Sequence, residues 1–171
     1  MAPKTLTSYS LLFNNPGTKG VKMSDIYFDD FQIGQKFVSP GLTITEGQII
    51  DFAMHYDPQV FHMDVEAAGR SIYGGLIASG IHTLAVTFRL LLQTGALSPA
   101  VSLGSPGFDE LRWLKPVRPG DTLHTVGEVL EKKPSRSQTD RGIIRFRYAC
   151  VNQKGEEVLT VIGNQIVRKK P

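Results

Sequence analysis

The sequence predicts an α+β domain in which an antiparallel sheet wraps one long central helix. Three observations lead there. Between Ile77 and Leu92 apolar residues recur every three or four positions, and after Gly104 the period changes to two. The strands that follow are separated by turns rather than helices, which implies antiparallel pairing. The length of 171 residues suits one domain that buries a sizeable core without a disulfide or metal staple.

Taken in order, residues 1–24 stand apart. Their only apolar patch is Leu11-Leu12-Phe13, too short for a secretory core, and no arginine suggests a transit peptide. They are expected to form a flexible extension, leaving residues 25–171 as the domain. Between Phe28 and Ser39 an Ile33-Gly34 turn is flanked by aromatics, and Leu42 to Thr45 reads as a short strand. Thr45 and Gln48 form a capping box, so a helix starts at Glu46 with Ile49, Ile50, Phe52 and Ala53 on its buried face. Pro58 disfavours helical geometry at Asp57 and ends that helix by Tyr56. Asp57 to Met63 is then expected as a loop, and Asp64 caps a short helix through Gly69.

The longest helical pattern follows Ser79-Gly80. Ile77, Ile81, Leu84, Ala85, Phe88, Leu91 and Leu92 make it apolar over much of its circumference, as in a central helix. Strands are expected from Phe108 to Val117, Thr122 to Glu131, Arg141 to Asn152 and Glu157 to Arg168. The turns Arg118-Pro119-Gly120-Asp121 and Gln153-Lys154-Gly155 separate two of these joins.

Charge narrows the function. The net +3 lies in Lys4, Lys19 and Lys22, because from Met23 onward basic and acidic residues balance at 16 each. With little aromatic interleaving among the basic residues, no nucleic-acid partner is expected. No apolar run approaches the roughly 18 residues of a membrane span, so no membrane partner is expected either. The single cysteine, Cys150, excludes a disulfide framework and makes a reducing cytoplasm the default location. His55 and His124 lack acidic or cysteine partners at ligand spacing, and no metal is expected. Lys132, Lys133, Arg136, Arg141, Arg145 and Arg147 surround a hairpin, either as a solvated face or as contacts for phosphates. Arg112, Lys115 and Arg118 carry the same pair of readings.

The stretch with chemistry is Asp57-Pro-Gln-Val-Phe-His62. A carboxylate and an imidazole five residues apart offer an ionised base and a group that donates or accepts a proton near neutral pH. Either side of one water, they would activate it for attack. On spacing alone, Asp57 reads equally as a helix-end residue and His62 as a packed one. Ser79 lacks the context of a nucleophile elbow.

Asp57 to His62, then Gly74-Gly75-Leu-Ile-Ala-Ser79-Gly80 and the long apolar helix, resemble the MaoC-like dehydratases and (R)-specific enoyl-CoA hydratases. Arg112-Trp-Leu-Lys-Pro-Val-Arg-Pro-Gly-Asp121 is similar to the strand and turn that follow in that family, and the likeness runs from about Tyr27 to Arg168. It implies a hotdog fold and homodimers with continuous sheets. It also implies a lyase that hydrates a trans-2-enoyl-CoA, or dehydrates the 3-hydroxyacyl-CoA, with the thioester as substrate and no separate cofactor. Asp57 and His62 would activate the water, and Gly80 would stabilise the thioester oxygen through its backbone N–H, with Ser79 and Gln59 as further substrate-binding positions. Two departures bear on substrate. The family's Asn-Pro is here Gln59-Val60 with the proline moved to Pro58, and a supporting serine of some hydratases falls near Ala85. Other activities open to such a chain are acyl-CoA thioester hydrolysis and acyl-CoA binding without turnover.

Overall fold

The computed structural model describes residues 25–171, so the extension expected over residues 1–24 lies outside the described residues. A 3-10 turn at Phe28–Asp30 leads to β1 (Lys36–Val38) and β2 (Leu42–Thr43). Next come α1 (Glu46–Tyr56), α2 (Val60–Met63), α3 (Val65–Gly69) and α4 (Gly80–Leu92). Four strands complete the chain: β3 (Gly107–Trp113), β4 (Thr122–Pro134), β5 (Arg141–Val151) and β6 (Glu157–Arg168). The sheet runs β1-β4-β5-β6-β3 with β2 paired to β4, antiparallel throughout. This is the α+β layout that the periodicities imply.

Local chemistry explains the boundaries near the site. Thr45 caps α1 as expected: its Oγ1 accepts from the Gln48 N–H, and the Gln48 side chain accepts from the Thr45 N–H. Asp57 is the last residue tied to α1, its N–H bonding the Ala53 carbonyl. Pro58 follows, and the helix stops there. The expected loop from Asp57 to Met63 contains a helical turn, α2, a correction to the sequence reading. A single turn is too short to show an apolar period, and here Asp64, which caps α3 through the Ala67 N–H, also closes α2 on the Val60 carbonyl.

β3 ends at Trp113 rather than Val117. The N–H groups of Leu114 and Lys115 both reach the Val158 carbonyl, so the ladder breaks just before Pro116. Leu90 and Leu91 of α4 join Phe146, Tyr148, Ile144 and Leu159 of the sheet in one buried core. At three strand positions a Cβ would crowd a neighbouring side chain: 2.8 Å from Leu91 at Gly127, 2.3 Å from the Phe28 ring at Gly142 and 2.2 Å from the Tyr148 ring at Gly163.

The orientation of α4 departs from the sequence reading. Its buried positions are His82, Thr83, Val86, Thr87, Leu90 and Leu91. Ile81, Ala85 and Leu92 face outward, with Leu84 and Phe88 half-buried. Threonines sit on the buried face because each is satisfied locally. Thr83 Oγ1 donates to the Ser79 carbonyl, Thr87 Oγ1 to the Thr83 carbonyl, and Thr125 Oγ1 to the Thr87 carbonyl. The most regular apolar stripe of the helix is thereby left uncovered.

Candidate active site

Three chain segments converge on one point. Asp57 sits at the C-terminal end of α1, His62 on α2, and Ser79-Gly80 at the start of α4. The link Leu76–Ala78 is fixed on both sides, with the Ile77 N–H bonding the Phe61 carbonyl and the Ala78 N–H the Val117 carbonyl. A cavity of about 500 Å³ opens here, lined by Asp57, Gln59, His62, Gly80, Trp113 and Lys115 among others.

The imidazole of His62 is 4% exposed, with Phe61 edge-on at 4.6 Å. Its Nδ1 lies 2.7 Å from the Ile77 carbonyl oxygen. A carbonyl only accepts, so Nδ1 carries the proton, and in the neutral ring Nε2 presents a lone pair. That nitrogen faces Asp57 Oδ2 at 3.4 Å.

Both oxygens of Asp57 are held. Ser79 Oγ donates to Oδ2 at 2.6 Å, and Gln59 Nε2 donates to Oδ1 at 2.8 Å. These two bonds, Ser79 first and then Gln59, keep the carboxyl below its ordinary range, with a smaller contribution from His62 and partial opposition from burial. The site therefore presents an ionised carboxylate of fixed orientation beside an imidazole nitrogen that is free to accept a proton.

The residues singled out from sequence all lie here. Ser79, expected from the resemblance as a substrate-binding position, is fully buried and is not among the cavity-lining residues. Its hydroxyl donates to Asp57 and accepts from the Ile81 N–H, so it positions the carboxylate and caps α4 together. Gly80 does line the cavity, and its N–H, at the first position of α4, is among the amides a helix leaves without an internal partner. Its missing side chain does not leave open space for a ligand, however. A Cβ there would stand 2.7 Å from the Trp113 indole, whose Nε1–H donates to the Gly80 carbonyl at 2.9 Å. Gln59 stays at the cavity with its amide nitrogen engaged on Asp57.

Sequence reasoning missed Trp113 and Tyr73 as cavity walls. Trp113 is the only tryptophan of the chain, but its contact with Gly80 spans 33 residues and no local pattern reveals it. His82, two residues after Gly80, stays outside this cavity. It is 8% exposed and stacked on Phe52 at 4.6 Å, and desolvation pushes its pKa down.

The two groups of basic residues separate in space. Lys115 lines the cavity, where it pairs with Glu156, and the Arg118 guanidinium holds the Tyr73 carbonyl. The hairpin bases lie at the other end of the sheet, with Lys132 roughly 30 Å along β4 from Thr122 at about 3.3 Å per residue. Lys133, Arg141, Arg145 and Arg147 are paired there with Glu131, Asp140, Asp109 and Glu157. Among the described residues, no helix is long and apolar enough to cross a membrane.

Known proteins resemble the chain in both sequence and fold. The model of the MaoC-like domain family matches residues 30–147. The protein YdeM of Bacillus subtilis (strain 168) is 38% identical over 130 residues, covering 76% of this chain and 90% of its own length. The mesaconyl-CoA hydratase of Cereibacter sphaeroides is 30% identical over 148 residues, which span 84% of this chain but 41% of that enzyme. The crystal structure of the MaoC-like dehydratase from Rhodospirillum rubrum superposes with a TM-score of 0.79 at 39% identity, covering 85% of this chain and 98% of that one. A Mycobacterium tuberculosis protein described as a double hotdog fold superposes at 0.69 with 21% identity, over 85% of this chain and 44% of its own, a likeness of fold alone. The chain belongs to the MaoC-like domain family and carries its hotdog fold, an antiparallel sheet around one long helix.

Proposed function

We propose that this protein is a hydro-lyase that adds water reversibly to a trans-2-enoyl-CoA thioester. The observation that carries the reading is the Asp57–His62 pair: a carboxylate held by two hydrogen bonds and an imidazole oriented by the Ile77 carbonyl, 3.4 Å apart at a cavity that also holds a helix N-terminus.

A water bound between Asp57 and His62 gives a proton to His62 Nε2 as its oxygen bonds to the β-carbon of the substrate. Electrons move from the carbon–carbon double bond toward the thioester carbonyl, and the Gly80 N–H at the positive end of α4 stabilises the oxygen that gains charge. The imidazolium, held by ionised Asp57, returns the proton to the α-carbon. Water is consumed whole, no electron leaves the substrate, and no cofactor is required. Dehydration is the same path reversed, with His62 as base at the α-carbon and as acid at the departing hydroxyl.

Ser79 and Gln59 act through Asp57, fixing where its charge points. Lys115, which lines the cavity, suits the phosphates of coenzyme A. A second copy of the chain is proposed as partner because β3 is an edge strand among the described residues, and Ile81 and Leu92 of α4 are exposed.

An activity screen tests the reading. Purified protein is offered enoyl-CoAs of graded length, following the absorbance of the conjugated thioester while a thiol reagent reports free coenzyme A. Hydration lowers the absorbance with no thiol released. Thiol release from saturated acyl-CoA would instead identify a thioesterase, and saturable binding without either signal a non-catalytic acyl-CoA module.

A further inference from the structure

The edge strand β3 does not run as a regular strand. Asp109 stands opposite Ile162 of β6 and Arg112 opposite Thr160, so Glu110 and Leu111 together face one residue, Val161. Glu110 takes a φ of 53°, the only positive φ of a non-glycine residue among the described residues. A residue with a side chain is held in that conformation only where the surrounding structure imposes it.

The extra residue sets which face the following side chains take. Phe108 and Trp113 are five positions apart and would lie on opposite faces of a regular strand. With the bulge between them they share a face. Phe108 meets Phe88 of α4 at 6.2 Å, and the Trp113 indole bonds the Gly80 carbonyl at the start of the same helix. The strained residue thus brings the indole to the wall of the dyad cavity.

There the indole heads a directed row of hydrogen bonds. Its Nε1–H donates to the Gly80 carbonyl at 2.9 Å. The N–H at the other end of that peptide, on Ile81, donates to Ser79 Oγ at 3.2 Å. Ser79 Oγ in turn donates to Asp57 Oδ2 at 2.6 Å. Every donor points toward the carboxylate, so each bond polarises the next in the same sense.

We propose that Trp113 is a positioning residue for hydration, its indole N–H acting through the Gly80–Ile81 peptide and Ser79 to orient the Asp57 carboxylate beside His62. The role rests on the hydro-lyase reading. A cavity wall needs only an apolar ring at this position, whereas the bond to Gly80 needs a ring donor.

Trp113→Phe keeps an apolar ring and removes the donor. In hydration of an enoyl-CoA its kcat is expected to fall about tenfold with KM within about twofold of wild type, and the acid limb of its pH–rate profile to move upward. A kcat within about twofold of wild type overturns the proposal, because the indole then serves binding at most. A fall in kcat with an unmoved acid limb is a packing effect and overturns it as well. A second readout needs neither turnover nor a folded Trp113 variant. Trp113 is the sole tryptophan, so its indole N–H gives one NMR signal. Asp57→Asn is expected to move that signal at neutral pH, and to move it by less than about half as much in a Ser79→Ala background, where the row is broken. No movement, or equal movement in both backgrounds, overturns the proposal. If no enoyl-CoA is hydrated while the signal depends on Asp57 through Ser79, the proposed activity fails and the positioning of Asp57 by Trp113 stands.

Discussion

The Ser79 hydroxyl donates to Asp57 Oδ2 at 2.6 Å while the same oxygen caps α4 by accepting from the Ile81 N–H. One side chain thus ties the dyad carboxylate to the helix whose first residue, Gly80, lines the cavity. Because this bond is the largest influence holding the Asp57 pKa below its ordinary value, Ser79→Ala is expected to raise it. The group must be ionised to act, so activity in the wild type extends into acid and the acid limb of the pH–rate profile moves upward in the variant. Loss of the cap also lowers stability by about 1 kcal/mol. Kinetic pH profiles alongside denaturant melts separate the two effects, and an unmoved acid limb contradicts the positioning role.

Gly80→Ala is expected to expel the indole of Trp113, because the new Cβ would stand 2.7 Å from the ring. Trp113 is half-exposed and able to swing outward, giving up its bond to the Gly80 carbonyl. Since it is the sole tryptophan, its emission reports the change directly as a red shift. The Gly80→Ala/Trp113→Ala pair should be non-additive in stability, as expected for residues in contact. Additive effects would mean that the indole does not set the requirement for glycine.

Burial makes His82 a source of acid sensitivity. Its pKa is lowered by desolvation, so the folded state keeps it neutral while the unfolded chain takes up a proton near the ordinary value of 6.5. Stability from this group is complete above that value and declines as pH falls below it, until the folded pKa is reached. The groups around it, Phe52, Ile44, Ala78, Val86, Val117 and Leu123, include no charge to offset protonation. Denaturant midpoints measured from pH 7 down to pH 5 should fall in wild type and flatten in His82→Phe. Parallel profiles would contradict this.

The position of β3 at the sheet edge among the described residues and the exposed Ile81, Leu92 and Phe108 predict self-association. Sedimentation equilibrium should return twice the chain mass of 18.8 kDa. A single-chain mass at micromolar concentration would leave the apolar stripe without its proposed cover.

Much of this fold is legible in local pattern. The Thr45–Gln48 capping box, the stop at Pro58 and the Gly34 turn are short-range signals that appear at the expected place, and the period-two segments form strands whose ends are shifted, β3 stopping at Trp113 and β4 running on to Pro134. The orientation of α4 was not legible. Period counting marks Ile81, Leu84, Ala85 and Phe88 as a buried stripe, but it cannot register that Thr83 and Thr87 are satisfied by carbonyls one turn back and so can face the core. Asp57 and His62 were legible as a spaced pair, whereas Trp113 at the cavity wall and Ser79 as the carboxylate's partner depend on contacts between distant segments.

The most direct measurement is steady-state hydration of the best enoyl-CoA by wild type, Asp57→Asn and His62→Ala, with folding of each checked by circular dichroism. Both variants should fold and bind substrate while kcat drops by about 100-fold or more, the range expected when a general base or its orienting partner is removed. Turnover within about twofold of wild type in both folded variants would contradict water activation by this pair.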